Sequence, residues 1–458
     1  MIPWPKALGG PSFWHSQSPS GQRPPLDGDH SADICIIGAG FTGLWAAFYL
    51  MRAAPNLTII VAEAEHAGFG ASGRNGGWLT GGFAWDHRSY LATGSEAGVR
   101  AMVRAMSGTV EEVIGIAEAA GIDADIRRTD ELLVATNAAQ HNRLIAECAN
   151  RRYWGEDHVH LIDADALARR VHIPGALGAM VVPGVARIQP AKLVHGLAHL
   201  VETQGVRIVE NTRVTSIRPG HVITTQGIIS ARTILRATEG FTSQFAHHAR
   251  DLLPLNSAQI VTAPLPESVW NKIGWQGYEI LGDFANAYCY CQRTDDGRIV
   301  VGGRGIPYRF GNRLDDQGRP DDKTIRRLIA ILHRHFPATI GQTIDHAWCG
   351  VLGVPRDWCA TIGFDPHTRI GFAGGYVGVG VSTANLAGRT LADLALNRQT
   401  ALTALPWVNR PLRKWEPEPL RWLALRGMYL LLNAADRAEN AGTNPSRLTR
   451  LGNWIKNR

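Results

Sequence analysis

Only six of the 458 residues are cysteine, and they are scattered, so no disulfide framework can be read from this chain. No run of 18 apolar residues occurs. The best candidate, Trp422 to Leu432, is broken by Arg426, which excludes an ordinary membrane span. Residues 1–30 are rich in Pro, Gly and Ser and lack the apolar stretch of a secretory leader. Charge of one sign is scarce outside the tail. The net charge is +7, yet Arg410 to Arg458 alone hold ten Lys or Arg against four Asp or Glu. No motif interleaves basic residues with aromatics, so no nucleic-acid partner is expected. Internal repeats and low-complexity segments are also lacking. These absences point to a cytoplasmic globular protein. At 458 residues it is too long for one hydrophobic core, so two or more domains are expected.

Glycine, by contrast, is abundant (50 residues), and it clusters. The most informative segment runs from Asp33 to Glu63. It predicts a strand rich in Ile, a turn through Gly38, Gly40, Phe41, Thr42 and Gly43, a helix to Ala53, a second apolar strand from Leu57 to Ala62, and then Glu63 followed by Ala64. Each part meets a demand of a dinucleotide. Gly38 permits the tight turn, Gly40 the approach of a pyrophosphate, and Gly43 close packing of helix on strand. Free amides at the helix N-terminus hold the pyrophosphate. Glu63 stands 20 residues beyond Gly43, where its carboxylate can accept from both ribose hydroxyls and would repel a 2′-phosphate. The ligand is then FAD or NAD rather than NADP.

Two further glycine blocks stand far apart. One is Gly70-Ala71-Ser72-Gly73-Arg74-Asn75-Gly76-Gly77-Trp78. The other is Gly374-Gly375-Tyr376-Val377-Gly378-Val379-Gly380, followed by Val381 and a helix of small residues. Between them, helices are expected at about 94–120, 164–171, 191–204 and 324–335, and antiparallel strands at 258–263, 287–292 and 298–301, the last two joined by the turn Asp295-Asp296-Gly297. The tail from Pro417 to Ala441 reads as a helix that folds back on the flavin domain, with contact to a partner or a membrane surface as the other reading.

Taken together, the fingerprint, the Gly70–Gly77 block, the Gly374–Gly380 block and Asp296-Gly297-Arg298-Ile299-Val300-Val301-Gly302-Gly303-Arg304-Gly305 resemble the D-amino-acid-oxidase-like (DAO) flavoenzymes over residues 31–397. The group most resembled is that of γ-glutamylputrescine oxidase, glycine oxidase and aminophosphonate oxidoreductases. The resemblance implies an α/β fold, with a glutathione-reductase-type FAD-binding Rossmann domain and an inserted antiparallel-sheet substrate domain of α+β character. The expected division is an arm at 1–30, an FAD domain at 31–90, 150–245 and 350–400, a substrate domain at 91–149 and 246–349, and a helical extension at 401–458. It also implies that FAD, held non-covalently, is met by the fingerprint, by Glu63, by Gly70 to Trp78, by Val214 at the adenine, by Ala237, Thr238 and Gly240, and by Gly375 to Val381. The implied reaction oxidises an amine or amino acid at its C–N bond, passing a hydride to the flavin and giving an imine that hydrolyses to a carbonyl compound.

For the substrate, Arg304 is a candidate anion anchor, with a structural ion pair as the other reading. Arg74 either balances charge at the flavin or supports backbone. Trp78, Tyr288, Tyr290 and Tyr376 either form an aromatic wall for an ammonium group or are core residues. Cys349, Cys289 and Cys291 read as buried thiols. His247, His248, His333 and His335 lack ligand partners at metal spacing, so no metal is expected. Arg298 to Val301 offers no lysine where sarcosine-oxidase relatives keep one for oxygen, so oxygen or another electron acceptor stays open. Alternative functions are an FAD-dependent 2-hydroxy-acid dehydrogenase, a flavin-binding subunit without turnover, and an NAD enzyme.

Overall fold

The computed structural model describes residues 4–19, 21–83, 87–303, 308–314 and 317–442. Two sheets divide the chain between them. The first has strands in the order Thr361–Asp365, Ile370–Gly374, Ile228–Arg236, His30–Ile37, Ile59–Ala62 and Arg207–Val209. All neighbours are parallel except the first pair, and the antiparallel strands Val214–Arg218 and His221–Thr224 extend from Ile228–Arg236. Where its central strands are covered on both faces they read as apolar runs, Ile34 to Ile37 and Ile59 to Ala62. Ile34, Ile36 and Val61 pack with the helices Phe41–Ala53, Glu96–Ala119, Pro190–Thr203 and Gly380–Ala395, while Cys35, Ile37 and Ile60 form a second cluster on the other face. The sheet therefore draws on both ends of the sequence. Gly388 makes the crossing of two of these helices possible, since a Cβ there would stand 2.6 Å from Trp45 Cβ.

The second sheet is mixed and mainly antiparallel. Its order is Ala7–Leu8, Ile344–Val354, Leu253–Thr262, Ile299–Gly303, Cys289–Arg293, Ile280–Asp283, Arg127–Ala135, Gly178–Arg187 and Trp78–Leu79, with His160–Asp163 beside Gly178–Arg187. Helices Glu267–Ile273 and Asp322–His335 cover one face of it around Trp275 and Phe336. Sheet membership places Gly178–Arg187, within the stretch 150–245, beside Arg127–Ala135 rather than in the parallel sheet. Ile344–Val354 likewise carries residues past 350 into the mixed sheet.

The N-terminal arm is not irregular throughout. Ala7–Leu8 pairs with His346 and Ala347, and the short helix Phe13–Ser16 buries Phe13, Trp14 and His15. At the other end, helix Leu420–Asn440 buries Leu425, Met428, Tyr429 and Leu432 against Leu253, Leu255, Val354, Trp358 and Val377. It thus rests on the seam between the two sheets and not on the parallel sheet alone. No helix among the described residues is long and apolar enough to cross a membrane.

Candidate active site

The strand His30–Ile37 runs through the turn at Gly38 into helix Phe41–Ala53. Gly38 has φ +105°, a conformation that glycine adopts without strain. A Cβ on Gly43 would lie 2.0 Å from Gly38 O and 3.1 Å from Ile36 Cγ2, so only glycine lets the helix sit this close to the strand. Beside the turn, the Glu63 carboxylate accepts the amides of Ala39 (2.8 Å) and Glu65 (3.1 Å). Burial raises its pKa, and those two amides oppose the rise.

A cavity of about 1140 Å³ opens from this turn and runs between the two sheets. Single small-ligand sites occupy roughly 300–1,000 Å³, so there is room for a dinucleotide and a second molecule. Gly38, Gly40, Phe41, Thr42, Glu63, Ala64, Gly70, Ala71, Ser72, Arg74, Asn75, Gly76, Trp78, Val214, Ala237, Thr238 and Tyr376 to Val381 all line it. Gly43, Gly77, Gly240 and Gly375 do not, and they shape the backbone behind the wall. Gly77 (φ +70°) leaves space for Gln292 Nε2, and a Cβ on Gly240 would stand 2.8 Å from Val351 Cγ1.

The Gly70–Gly77 loop is held from every side. Ser72 Oγ accepts the Phe41 amide (2.8 Å), so the loop touches the first turn of the fingerprint helix. Asn75 donates to Ser72 O (2.7 Å) and accepts the Gly77 amide (2.8 Å). Trp14 Nε1 donates to Asn75 O (2.8 Å), while Trp348 Nε1 (3.1 Å) and Gln259 Nε2 donate to Arg74 O. Arg74 is buried and spends its guanidinium on Phe69 O (2.8 Å) and Cys349 O (3.2 Å), so it supports backbone at the cavity wall.

The late glycine block forms the opposite end. Helix Gly380–Ala395 begins at Val379 with no side-chain cap, and its positive end meets the cavity. Val377 holds φ +50°, a strained backbone for a β-branched residue. Tyr376 donates to or accepts from Thr42 Oγ1 (2.8 Å), which ties the late loop to the first fingerprint. Its ring joins the core cluster and also lines the cavity. Glu239 (φ +41°) fastens the same loop, accepting the amides of Gly375 (2.9 Å), Tyr376 (3.2 Å) and Gly353. Burial pushes this carboxyl up to about 6 against the pull of those amides.

Across the cavity stand side chains of the mixed sheet. The Trp78 and Tyr290 rings meet edge to face at 6.1 Å, Trp78 Nε1 donates to Cys291 O (3.1 Å), and Tyr290 OH pairs with Ser257 Oγ (3.0 Å). The Tyr290 ring is clamped by glycines, since a Cβ on Gly76 would lie 2.6 Å from its Cε2. Tyr288 is half-exposed, and its hydroxyl reaches to 3.4 Å of where a Gly378 Cβ would stand. Four lining residues carry no signal in the sequence. Glu131 accepts Thr80 Oγ1 (3.0 Å), and Arg151 faces Glu131, Glu147 and Glu156. Arg143 forms a two-pronged pair with Glu439 (2.7 and 2.9 Å), and Leu432 closes the cavity from the C-terminal helix. Arg304 lies outside the described residues.

Cys349 is buried and lines the cavity. Cys289 and Cys291 are also buried, and contact with Cys291 together with burial keeps Cys289 a neutral thiol. His335 does find partners, because the fold brings it to Asp283 and Cys289 with ligand atoms within 4.8 Å of one another. His248 pairs with Asp251 (2.6 Å), and His247 is exposed.

Residues 33–394 match the family model described as "DAO: FAD dependent oxidoreductase". The chain is 29% identical to gamma-glutamylputrescine oxidoreductase of Escherichia coli strain K12, over 80% of this chain and 83% of that protein. It is 31% identical to the probable oxidoreductase OrdL of Rhizobium meliloti strain 1021, over 85% and 88%. Among solved structures, glycine oxidase from Geobacillus kaustophilus superposes with a TM-score of 0.70 at 20% identity, over 84% of this chain and all of that one.

Proposed function

Because this chain belongs to the DAO family of FAD-dependent oxidoreductases and is thus an FAD enzyme of amine or amino-acid oxidation, we propose that its substrate is an amine whose far end is neutral or cationic. One observation carries this. Among the described residues lining the cavity, each arginine is already matched: Arg143 by Glu439, Arg151 by three carboxylates, Arg213 by Glu65, and Arg74 by backbone carbonyls. A carboxylate at the far end of the substrate would find one lining cation without a carboxylate of its own, Arg74, whose guanidinium is already held by Phe69 O and Cys349 O, whereas Glu131 presents an acceptor beside Thr80. A 2-hydroxy acid, which needs such an anchor, fits less well.

The residues fit FAD. The cradle leaves no room for a Cβ at Gly38, Gly40 or Gly43, Glu63 offers an anionic acceptor at the strand end, and two helix N-termini face the cavity. In this reading the fingerprint holds the pyrophosphate, Glu63 the adenosine ribose, Val214 the adenine, Gly70 to Trp78 the ribityl side, and Gly375 to Val381 the pyrimidine edge of the ring. When bound, FAD supplies an acceptor for the hydride on the carbon beside the amine nitrogen. The positive end of helix Gly380–Ala395 favours negative charge at that edge. Trp78 and Tyr288 stand where the amine arrives, while Tyr290, clamped by Gly76 and tied to Ser257, backs the Trp78 ring. Phe83, Phe284 and Leu432 line the cavity and exclude water. The amine must be neutral to release a hydride, so activity rises with pH near its bound pKa. All six cysteines are free, in keeping with a reducing cytoplasm.

The test is anaerobic bleaching of the flavin absorbance by a panel of monoamines, acylated diamines, N-methyl amino acids and 2-hydroxy acids. Amines with neutral or cationic ends should bleach it fastest. Bleaching by 2-hydroxy acids alone would overturn the proposal.

A further inference from the structure

Outside the flavin cavity, three histidines from three separate elements meet. His15 comes from the short helix Phe13–Ser16, His66 from the turn after strand Ile59–Ala62, and His195 from helix Pro190–Thr203. Their ligand atoms lie within 4.8 Å of one another, and the His15 ring meets His66 and His195 edge-on at 5.0 and 5.2 Å. We propose that His15, His66 and His195 form a binding site for a divalent transition-metal cation of the zinc type, which fastens the N-terminal arm to the loop that faces the flavin.

The hydrogen bonds of His15 and His66 leave their Nε2 atoms as lone pairs. Ser12 Oγ spends its one hydrogen on Gly73 O (2.6 Å), so it can only accept from His15 Nδ1 (3.0 Å). His15 Nδ1 therefore carries the ring hydrogen, and Nε2 is an acceptor. His66 Nδ1 stands 3.1 Å from Ala67 O, a carbonyl that only accepts, so its Nε2 is an acceptor too. His195 Nδ1 lies 3.4 Å from Ser18 Oγ. The Nε2 atoms of His15 and His195 are buried, and neither has a hydrogen-bond partner among the described residues. Lone pairs turned toward one another repel unless something between them accepts electrons.

A metal ion answers the arrangement. Neutral imidazoles suit zinc and its neighbours, and a ring whose second nitrogen is fixed by a hydroxyl or carbonyl is the usual outer arrangement of such sites. Tetrahedral bonds of about 2.0–2.1 Å bring the nitrogens to about 3.3 Å apart, so from separations within 4.8 Å the rings close by at most roughly 1.5 Å on binding. Local charge allows it. Arg23 beside His195 is matched by Glu202 and Glu210, which leaves an excess of one carboxylate against Arg74 on the far side. The consequence for the flavin loop is direct: a Cβ on Gly73 would stand 2.1 Å from His15 Cε1, so the imidazole rests on that backbone.

The test uses untagged, flavin-loaded protein treated with a chelator and then dialysed against buffered free Zn2+. Bound metal is counted by mass spectrometry. One Zn2+ per chain is expected. His66→Gln and His195→Gln should each weaken binding beyond the roughly 10–100-fold that loss of an outer partner costs. X-ray absorption at the zinc edge of the wild type should show three imidazole nitrogens at about 2.0–2.1 Å. Equal uptake by wild type and both variants, or a zinc edge without imidazole scattering, would overturn the site. Should either variant misfold, the absorption spectrum of the wild type decides alone, and wild type that takes up no zinc also refutes it.

Discussion

Glu239 sets a pH dependence that can be worked from the structure. Its carboxylate gathers the amides of Gly353, Gly375 and Tyr376, joining the end of strand Ile344–Val354 to the late glycine loop. Burial outweighs those amides and lifts the folded pKa from 4.5 to about 6. A raised carboxyl pKa means that the native state holds this proton more tightly than the unfolded chain does. The associated stability is complete below pH 4.5 and is lost as pH rises through about 6. At 1.36 kcal/mol per tenfold change in acidity, the loss is about 2 kcal/mol between pH 4 and 8. With an unfolding entropy of about 2.1 cal/mol/K per residue, a chain of this length shifts by about 1 °C per kcal/mol. Glu239→Gln keeps the size and removes the titration. The assay is the thermal midpoint of flavin-free wild type and variant at matched ionic strength from pH 4 to 8. Wild type should lose about 2 °C relative to the variant across that range. A difference that is flat, or that grows in favour of wild type with pH, would refute the reasoning.

Other consequences are equally open to measurement. Gly43→Ala puts a Cβ against Gly38 O, a backbone atom that cannot yield, so flavin retention after gel filtration should be lost. Gly108→Ala and Gly115→Ala lie inside helix Glu96–Ala119 with open space around them, and each should stabilise by about 0.8–1 kcal/mol, raising the midpoint by about 1 °C. Glu63→Gln removes a charge-assisted acceptor worth about 1.5–3 kcal/mol, so FAD affinity, followed by the fluorescence of released flavin, should fall by roughly tenfold or more. No lysine lines the cavity among the described residues, so re-oxidation of the reduced protein by air should be slow beside re-oxidation by a dye, and a faster rate with air would contradict this.

The dinucleotide half was legible because its signals are local. Strand, turn, helix and acid fall within 31 residues from Asp33 to Glu63, and each glycine has a steric duty that the chain states directly. The late loop was legible for the same reason. The mixed sheet was harder. Pro183-Gly184 interrupts strand Gly178–Arg187, and the register of its neighbour shifts between Thr129 and Glu131, so the alternation expected of a strand is blurred. Helix Ala138–Tyr153 buries Gln140, Leu144, Cys148 and Arg151, a stripe too polar to betray a helical period. The arm escaped because a strand of two residues and a helix of four span only about one period each, too little for a pattern to repeat. Arg143 and Glu439 stand 296 positions apart, and only the folded chain pairs them. Arg74 and Tyr376 were found as wall residues, but their bracing roles depend on Cys349 and Thr42, which lie in other parts of the chain.

The parallel sheet has a consequence for the order of events at the ribosome. Ile34 pairs with Thr233, and Leu235 with Gly371, so the strand that opens the nucleotide fold waits 199 residues for one neighbour, and that neighbour waits 136 more for its own. At synthesis rates of about 5–20 residues per second, the first wait lasts roughly 10–40 s. For that interval an apolar strand edge is exposed, a template for pairing with other chains. Residues from both ends line the cavity proposed for the flavin, so in that reading it is captured only once nearly the whole polypeptide has emerged. Its uptake is thus a marker of completed synthesis, and a chain cut short before Gly371 should be recognised by colour alone.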